Sequence, residues 1–339
     1  MAKVLVTGGL GYIGSHTVVT LLEHGYEAII VDDLSYSEAG VLDGIEQISG
    51  KRPPFYEFDL CDSKKVNELF EDEEGISSII HFAASKAVGE SVEKPLLYYK
   101  NNLLSLINLL EQMNQRGITD LVFSSSCTVY GQPDQLPVTE SSPTKPAESP
   151  YGNTKQIGEQ ILRDACRANP LLRVIALRYF NPVGSHESAL IGELPTGVPN
   201  NLVPFITQTA AGLRSQLNVF GQDYNTPDGT AVRDYIHVVD LAEAHEVALR
   251  RLTNDEQKEN LEFFYIGTGE GHSVLEVVKT FEQVNDLKLN YQLVDRRPGD
   301  VEQVYADTHL ANTELGWKAT RGLKEMLTSA WKWQKNITN

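Results

Sequence analysis

Three glycines constrain this chain from its first turn. Gly8, Gly11 and Gly14 stand in the spacing G-x-x-G-x-x-G, directly after the apolar run Val4-Leu5-Val6. The next stretch, Ser15 to Glu23, carries Val18, Leu21 and Leu22 at helical spacing, with Gly25 as its stop. A continuous apolar run of that length reads as a strand buried on both faces. A strand that breaks into such a turn and reopens as a helix aims backbone N–H groups and the positive end of the helix dipole at one point, where a phosphate binds. The first glycine permits the tight turn, the second lets backbone approach a pyrophosphate, and the third lets helix and strand pack closely. Ala28 to Val31 forms the next buried strand and ends at Asp32. That is about 20 residues beyond the glycines, the place from which a carboxylate reaches the hydroxyls of an adenine ribose. An acidic group there repels a 2′-phosphate. Asp33 adds charge of the same sign, and no arginine stands beside it. The pattern therefore favours NAD over NADP; the plain alternative is that Asp32 caps a turn.

The alternation continues. Phe55 to Phe58 reads as a strand ending at Asp59, which suits either an adenine contact or a solvated turn. Ser63 to Phe70 reads as a helix opened by a serine cap, and Ser78 to His81 as a strand. Tyr98 to Asn114 reads as a long helix with Leu103, Leu106, Ile107 and Leu110 on one face. Leu121 to Phe123 is a strand running into Ser124-Ser125-Ser126, Pro150 to Ala168 a helix, and Arg173 to Leu177 a strand. Repeated β-α-β units imply an α/β fold with a doubly wound parallel sheet of the Rossmann type and right-handed crossovers. After Phe180 the pattern changes: segment 182–234 is rich in glycine, proline and asparagine, with short strands. Segment 235–269 returns to the earlier style, and 270–339 is mixed. The expected organisation is an NAD-binding domain over 1–182, with 235–269 packing back onto it, and a smaller mixed α/β substrate-binding domain over 183–339.

Composition excludes some partners. The 339 residues carry a formal net charge of −17, which argues against nucleic acid or an anionic membrane surface. No apolar run approaches the ~20 residues that span a bilayer, and no basic-then-apolar leader opens the chain. Cys61, Cys127 and Cys166 are scattered and lack C-x-x-C spacing, which fits a reducing, cytoplasmic setting. The sequon at Asn336 then carries no meaning. No His, Cys and Asp cluster has metal-ligand spacing, so no metal is expected.

Tyr151 and Lys155 lie four residues apart and so share one helix face. Pro150 suits a first helical position and Ser149 a cap. A phenol titrates near ~10, too high for proton transfer at neutral pH; a neighbouring ammonium and a cationic nicotinamide ring would lower it. Lys155 is also placed to hold the nicotinamide ribose. Alone, Y-x-x-x-K is a weak signal that amphipathic helices produce by chance. Here it opens the helix after the strand ending at Ser124-Ser125-Ser126, and in a parallel sheet strand ends and following helix starts share one ligand edge. The Ser126 hydroxyl can then face the same substrate oxygen as Tyr151.

The words T-G-G-L-G-Y-I-G-S-H (7–16), H-F-A-A-S-K-A-V-G-E-S (81–91), F-S-S-S-C-T-V-Y-G (123–131), P-Y-G-N-T-K (150–155), R-Y-F-N-P-V-G (178–184), P-N-N-L (199–202) and R-D-Y-I-H-V-x-D (233–240) together resemble the extended short-chain dehydrogenase/reductase family over essentially the full length, and within it the enzymes that invert C4 of nucleotide-linked hexoses. The resemblance implies reversible interconversion of UDP-glucose and UDP-galactose through a 4-keto intermediate, with NAD tightly bound and a homodimer as the assembly. It implies Tyr151 as the base, Lys155 as its partner and Ser126 as the hydroxyl helper. To the cofactor it assigns Gly8, Gly11, Tyr12, Ile13, Gly14, Asp32, Asp33, Asp59, Leu60, Phe82, Ala83, Lys86, Asn101, Ser124, Tyr151, Lys155 and Phe180. To the UDP-sugar it assigns Lys86, Ser126, Tyr151, Asn181, Asn201, Leu202, Asn218, Phe220, Arg233, Tyr235, Arg297, Asp300 and Val304. Arg233 and Arg297 suit the diphosphate, since guanidinium matches oxyanions; without the resemblance, Arg233-Asp234 reads as a surface ion pair. His81 and His237 read as structural.

Two positions depart from the family. Phe82-Ala83-Ala84-Ser85-Lys86 stands where F-A-G-L-K is common, with modest consequence expected. Val304 stands where members confined to unacetylated sugars typically carry a tyrosine, which suggests turnover of UDP-N-acetylglucosamine and UDP-N-acetylgalactosamine unless Tyr305 fills the gap. Two rivals differ in chemistry. A nucleotide-sugar 4,6-dehydratase typically carries an Asp-Glu pair after the helper's strand, where this chain has Ser126-Cys127. A non-catalytic NAD-binding regulator commonly loses the tyrosine or the lysine, and both are present. The long Tyr98–Asn114 helix and the Pro150–Ala168 helix are the expected dimer surface.

Overall fold

The computed structural model describes residues 2–131, 133, 135–297 and 301–338. In chain order the first part runs β1 (Lys3–Thr7), α1 (Tyr12–Glu23), β2 (Glu27–Asp32), α2 (Val41–Ser49), β3 (Phe55–Glu57), α3 (Ser63–Asp72), β4 (Ile76–His81), α4 (Val88–Glu93), α5 (Pro95–Arg116), β5 (Asp120–Ser124), α6 (Pro150–Ala168) and β6 (Arg173–Tyr179). The second part runs β7 (Asn181–Val183), α7 (Leu202–Ala210), β8 (Leu217–Phe220), β9 (Val232–His237), α8 (Val238–Thr253), β10 (Leu261–Ile266), β11 (Gly271–Ser273), α9 (Val274–Asn285), β12 (Tyr291–Val294), β13 (Gln303–Val304) and α10 (Leu323–Thr338).

Seven strands form one sheet in the order β10-β6-β5-β4-β1-β2-β3, and each neighbouring pair is parallel. The order reverses at β1, so the crevice beside β1 and β4 is the switch point at which α/β sheets bind ligands. Alternate residues of each strand feed opposite cores. Val4, Val6, Ile30, Ile80, Val122, Ile175 and Leu177 meet α1 and α8 on one face. Leu5, Ile29, Val31, Ile79, Leu121, Val174 and Ala176 meet α3, α5 and α6 on the other. The last strand, β10, comes from far down the chain and pairs with β6 from Leu261↔Val174 to Ile266↔Tyr179.

The second lobe holds a small mixed sheet in which β9 pairs with β7, β11 and β13, and a separate parallel pair of β8 with β12. Its own core gathers Val203, Ile206, Val219, Tyr235, Val277, Phe281 and Leu327. The structure revises several boundaries. Helix α1 opens at Tyr12, so the third glycine lies inside its first turn. Asp62, not Ser63, caps α3, accepting from the Lys64 and Lys65 N–H groups. Helices α2 and α4 have no counterpart among the predicted elements. No helix among the described residues is long and apolar enough to cross a membrane.

Candidate active site

The glycine turn forms a cradle that side chains would fill. A Cβ on Gly14 would lie 2.1 Å from the Gly8 carbonyl oxygen, and one on Gly8 would lie 2.8 Å from Ala83 N. Gly8 has φ +69°, the left-handed region that glycine enters without strain. Gly11 caps α1 without any side-chain bond, so the helix end faces the crevice with its dipole unopposed. These features fit a pyrophosphate. Asp32 stands beside it, 8% exposed, with Oδ2 accepting from Leu10 N at 3.1 Å and Oδ1 accepting from Leu34 N at 3.0 Å and Ser37 Oγ at 2.7 Å. Burial raises its pKa against those bonds. The carboxylate thus braces both the glycine turn and the turn after β2, with lone pairs left for ribose hydroxyls.

Around the crevice the remaining predicted positions take their places. Asp33 accepts from Ser35 N, and Asp59 from Cys61 N at 2.8 Å. Leu60 is buried, and its carbonyl accepts from Asn108 Nδ2. Ile13 packs onto the first core. Phe82 stacks on His245, with ring centroids 4.6 Å apart. Asn101 donates to Ser85 Oγ at 3.1 Å, which steadies the segment leading to Lys86. Tyr36, from the turn after β2, donates to Glu90 Oε2 at 3.0 Å. That bond ties the Asp32 lip of the crevice to α4. Among the described residues no group of three or more His, Cys, Asp or Glu is placed to hold a metal ion.

At the other end of the crevice stand Ser126, Tyr151 and Lys155. Ser149 caps α6 through Gly152 N at 3.2 Å, which sets the first turn and aims Tyr151. The Ser126 hydroxyl, near Tyr151, works to lower the phenol pKa. Burial outweighs it, and Tyr151 is pushed up to about 12. In the protein alone the Lys155 ammonium supplies none of the expected lowering: it donates to the Ser124 carbonyl at 2.6 Å and lies 5.2 Å from the Phe123 ring centre. Lys155, 6% exposed, is itself lowered to about 8 by burial, with Glu159 opposing.

Beneath the trio lies a pair that sequence reading missed. Glu159 is one turn beyond Lys155 on α6 and buried. Its Oε1 accepts from Ser125 Oγ at 2.7 Å and Arg178 Nε at 2.8 Å, while Oε2 accepts from Arg178 Nη2 at 2.6 Å. Arg178 also donates to the Tyr130 hydroxyl. Ser124 shares a hydroxyl bond with Tyr179. The Ser124–Ser126 segment is therefore held from below by a bidentate ion pair, the strong and directional kind. The available signal was a glutamate at a helical position that continues the inward Tyr151–Lys155 face.

Most of the predicted substrate positions lie in the second lobe. Asn181 is exposed on β7, opposite Tyr235 in register. Asn201 occupies the N-cap position of α7 and Leu202 begins the helix. Phe220 ends β8, 39% exposed, with the Arg297 guanidinium 5.8 Å from its ring centre. Asn218 accepts from Gln292 Nε2 at 2.8 Å. Arg233 donates to the Val232 carbonyl at 2.8 Å and the Glu302 carbonyl at 3.4 Å. The Arg233-Asp234 ion-pair reading fails: Asp234 is buried and accepts from Thr268, Gly269 and Ala306 backbone N–H groups. Tyr235 is 2% exposed and packs in the second-lobe core. Phe180 and Val304 pack together with Cys127 beside Ser126. Asp300 lies outside the described residues. His81 bonds Thr7 Oγ1 at 2.7 Å, and His237 accepts from Val239 N at 3.1 Å, both as structural groups.

Comparison with known proteins places this geometry. The family model described as GDP-mannose 4,6 dehydratase matches residues 5–330. The UDP-glucose 4-epimerase of Haemophilus influenzae is 52% identical over 98% of this chain and 97% of its own. Two crystal structures superpose closely. One is the UDP-glucose 4-epimerase from Stenotrophomonas maltophila with bound NAD and formylated UDP-arabinopyranose, at TM-score 0.96 and 47% identity, covering 100% of this chain and 99% of the other. The second is that from Bifidobacterium longum with NAD+ and UDP, at TM-score 0.95 and 46% identity, with the same coverage. With the cradle, the acidic brace and the Tyr–Lys–Ser trio all in place, the chain belongs to the UDP-glucose 4-epimerases of the extended short-chain dehydrogenase/reductase family.

Proposed function

We propose that this chain interconverts UDP-glucose and UDP-galactose reversibly, inverting C4 by oxidation to a 4-keto sugar and reduction on the other face, with NAD held throughout. The observation that carries the reading is Tyr151 in the first turn of α6, with Ser126 just beyond β5 and Lys155 bonded to the Ser124 carbonyl, at the same sheet edge as the glycine cradle. NAD, when bound, accepts the C4 hydride and later returns it. Tyr151 Oη takes the proton from the 4-hydroxyl and gives it back after inversion, and Ser126 Oγ holds the same oxygen in line. Lys155, free to leave the Ser124 carbonyl, supplies the positive charge that the phenolate needs. Residues 1–182 with 235–269 carry the cofactor, and 183–339 carry the UDP-sugar. Arg233 and Arg297 clamp the diphosphate, so the nucleotide is fixed while the sugar turns. The deciding experiment is incubation with UDP-galactose and detection of UDP-glucose. A 4-keto-6-deoxy product would instead establish a dehydratase, for which Cys127 offers no acid: burial pushes its thiol up to about 11.

A second reading concerns acetylated sugars. In the strand Gln303–Val304 and beyond, Val304 faces Phe180, and the ring of Tyr305 lies over Gly271, where a Cβ would meet Tyr305 Cδ1 at 3.2 Å. Tyr305 is engaged there and not at Val304, whose side chain is smaller than a tyrosine, so UDP-N-acetylglucosamine and UDP-N-acetylgalactosamine join the proposed substrates. No turnover of either at high enzyme concentration sinks this reading.

A homodimer completes the assembly. Leu96 is 81% exposed, and Val88, Val92, Leu97 and Ile107 are exposed with it along α4 and α5; α6 packs beside α5. An apolar surface of this kind buries against a second copy across a two-fold axis, which sedimentation tests. The three cysteines are free, in keeping with a reducing, cytoplasmic setting.

A further inference from the structure

Glu193 belongs to none of the motifs that identify the cofactor or the chemistry. It lies in the loop between β7 and α7, bonded to Asn201 and lining one small cavity with Tyr12 of the glycine turn. Its Oε1 accepts from Asn201 Nδ2 at 2.7 Å. Tyr12, from the glycine turn, feels its charge and donates to the Gly184 carbonyl at 2.6 Å just upstream. The Lys86 ammonium, from the loop after β4, draws the Glu193 carboxyl downward together with Asn201, while burial pushes it up and prevails. The loop is fixed from behind. The Glu193 carbonyl accepts from Trp333 Nε1 at 2.9 Å, and a Cβ on neighbouring Gly192 would lie 2.5 Å from Trp333 Cγ. A cavity of about 20 Å³, room for about one water, is lined by Glu193 with Tyr12, Thr207 and Gln334.

Asn201 is the N-cap residue of α7, and asparagine there ordinarily accepts from the first-turn N–H groups. It makes no such bond. Its amide is turned to Glu193 instead, which leaves the start of α7 without a side-chain cap. We propose that Glu193 is a positioning residue: it holds the Asn201 amide at the start of α7, and through it sets the affinity for the nucleotide end of the substrate. This rests on the reading of Asn201 as a UDP contact. Glu193 touches no reacting atom, so its effect falls on binding and not on the chemical step.

The test uses the NAD-loaded full chain with two variants. Glu193→Ala is expected to raise KM for UDP-galactose about tenfold, and to weaken UDP binding measured by calorimetry by the same factor. Its kcat stays within about twofold, and NAD per chain is unchanged. Glu193→Gln, whose side-chain carbonyl still accepts from Asn201, recovers most of the UDP affinity. Unchanged KM and UDP affinity in both variants overturns the proposal. So does a joint fall of kcat, NAD content and thermal midpoint, the mark of a purely structural residue. The UDP measurement does not depend on turnover. A wild type that binds UDP without converting UDP-galactose refutes the proposed activity alone, and the two variants still decide Glu193. A wild type that binds no UDP overturns both.

Discussion

The two ends of the cleft are built by different rules. At the cofactor end, Gly8, Asp32, Phe82 and Ser124 each lie at or just beyond the C-terminal end of a parallel strand, and Tyr12 and Tyr151 lie in the first turn of a following helix. One repeating unit spaces them, and the sheet's register fixes them relative to one another. At the substrate end, Asn181, Asn201, Phe220, Arg233, Arg297 and Val304 come from separate segments, several of them strands of two to four residues. The contrast suits the chemistry. Hydride transfer needs near-fixed geometry, whereas the sugar must turn, and a loop-built wall that grips only the nucleotide permits it.

The comparison makes sharp demands. Tyr151→Phe removes the proton carrier from the rigid end. It is expected to cut kcat by about a thousandfold while NAD per chain stays constant; surviving activity would mean that the fixed end does not hold the base. Arg233→Ala strips a guanidinium from the adaptable end. KM for UDP-galactose should rise by about one to two orders of magnitude with kcat little changed, and a kcat defect of equal size would erase the distinction between the ends. Asp32→Ala is expected to loosen NAD about tenfold and to let NADP compete, read from cofactor retained after dialysis. The smallest effect is on stability. Burial lowers Lys155 from an ordinary 10.5 to about 8, so between those values the unfolded chain holds more protons than the folded one. The contribution of Lys155 to stability therefore rises as pH rises through that window and is least below it. Lys155→Met should be inactive yet more stable by about 1 kcal/mol at pH 7, with the gain vanishing above pH 10.5 in thermal unfolding.

The same contrast decides what could be read from the residues. The parallel sheet was legible because buried strands and amphipathic helices announce themselves locally, and the trio was legible because strand ends and helix starts are ordered by the fold. Helix α2 was not: Gly44 interrupts it, and the reason is tertiary, since a Cβ there would lie 2.6 Å from the Leu190 carbonyl oxygen. The pairing of β8 with β12 joins Leu217 to Tyr291, a distance along the chain that no local pattern encodes. The burial of Tyr235 in the second-lobe core has no local signal, and the direction of the Tyr151 shift without cofactor depends on where the Lys155 ammonium points. Glu159 alone left a trace, as a charge on an inward helical face.

The placement of β10 has a consequence for synthesis. The sheet that cradles the cofactor keeps β6 as a bare edge until residue 266 has left the ribosome, because Leu261–Ile266 is the strand that covers it. A chain cut at residue 182 would contain the glycine turn, Asp32 and the trio, and still present Val174, Ile175 and Leu177 beside an unpaired row of backbone groups, a template for aggregation. A nascent chain therefore holds this edge open while the second lobe's first strands emerge.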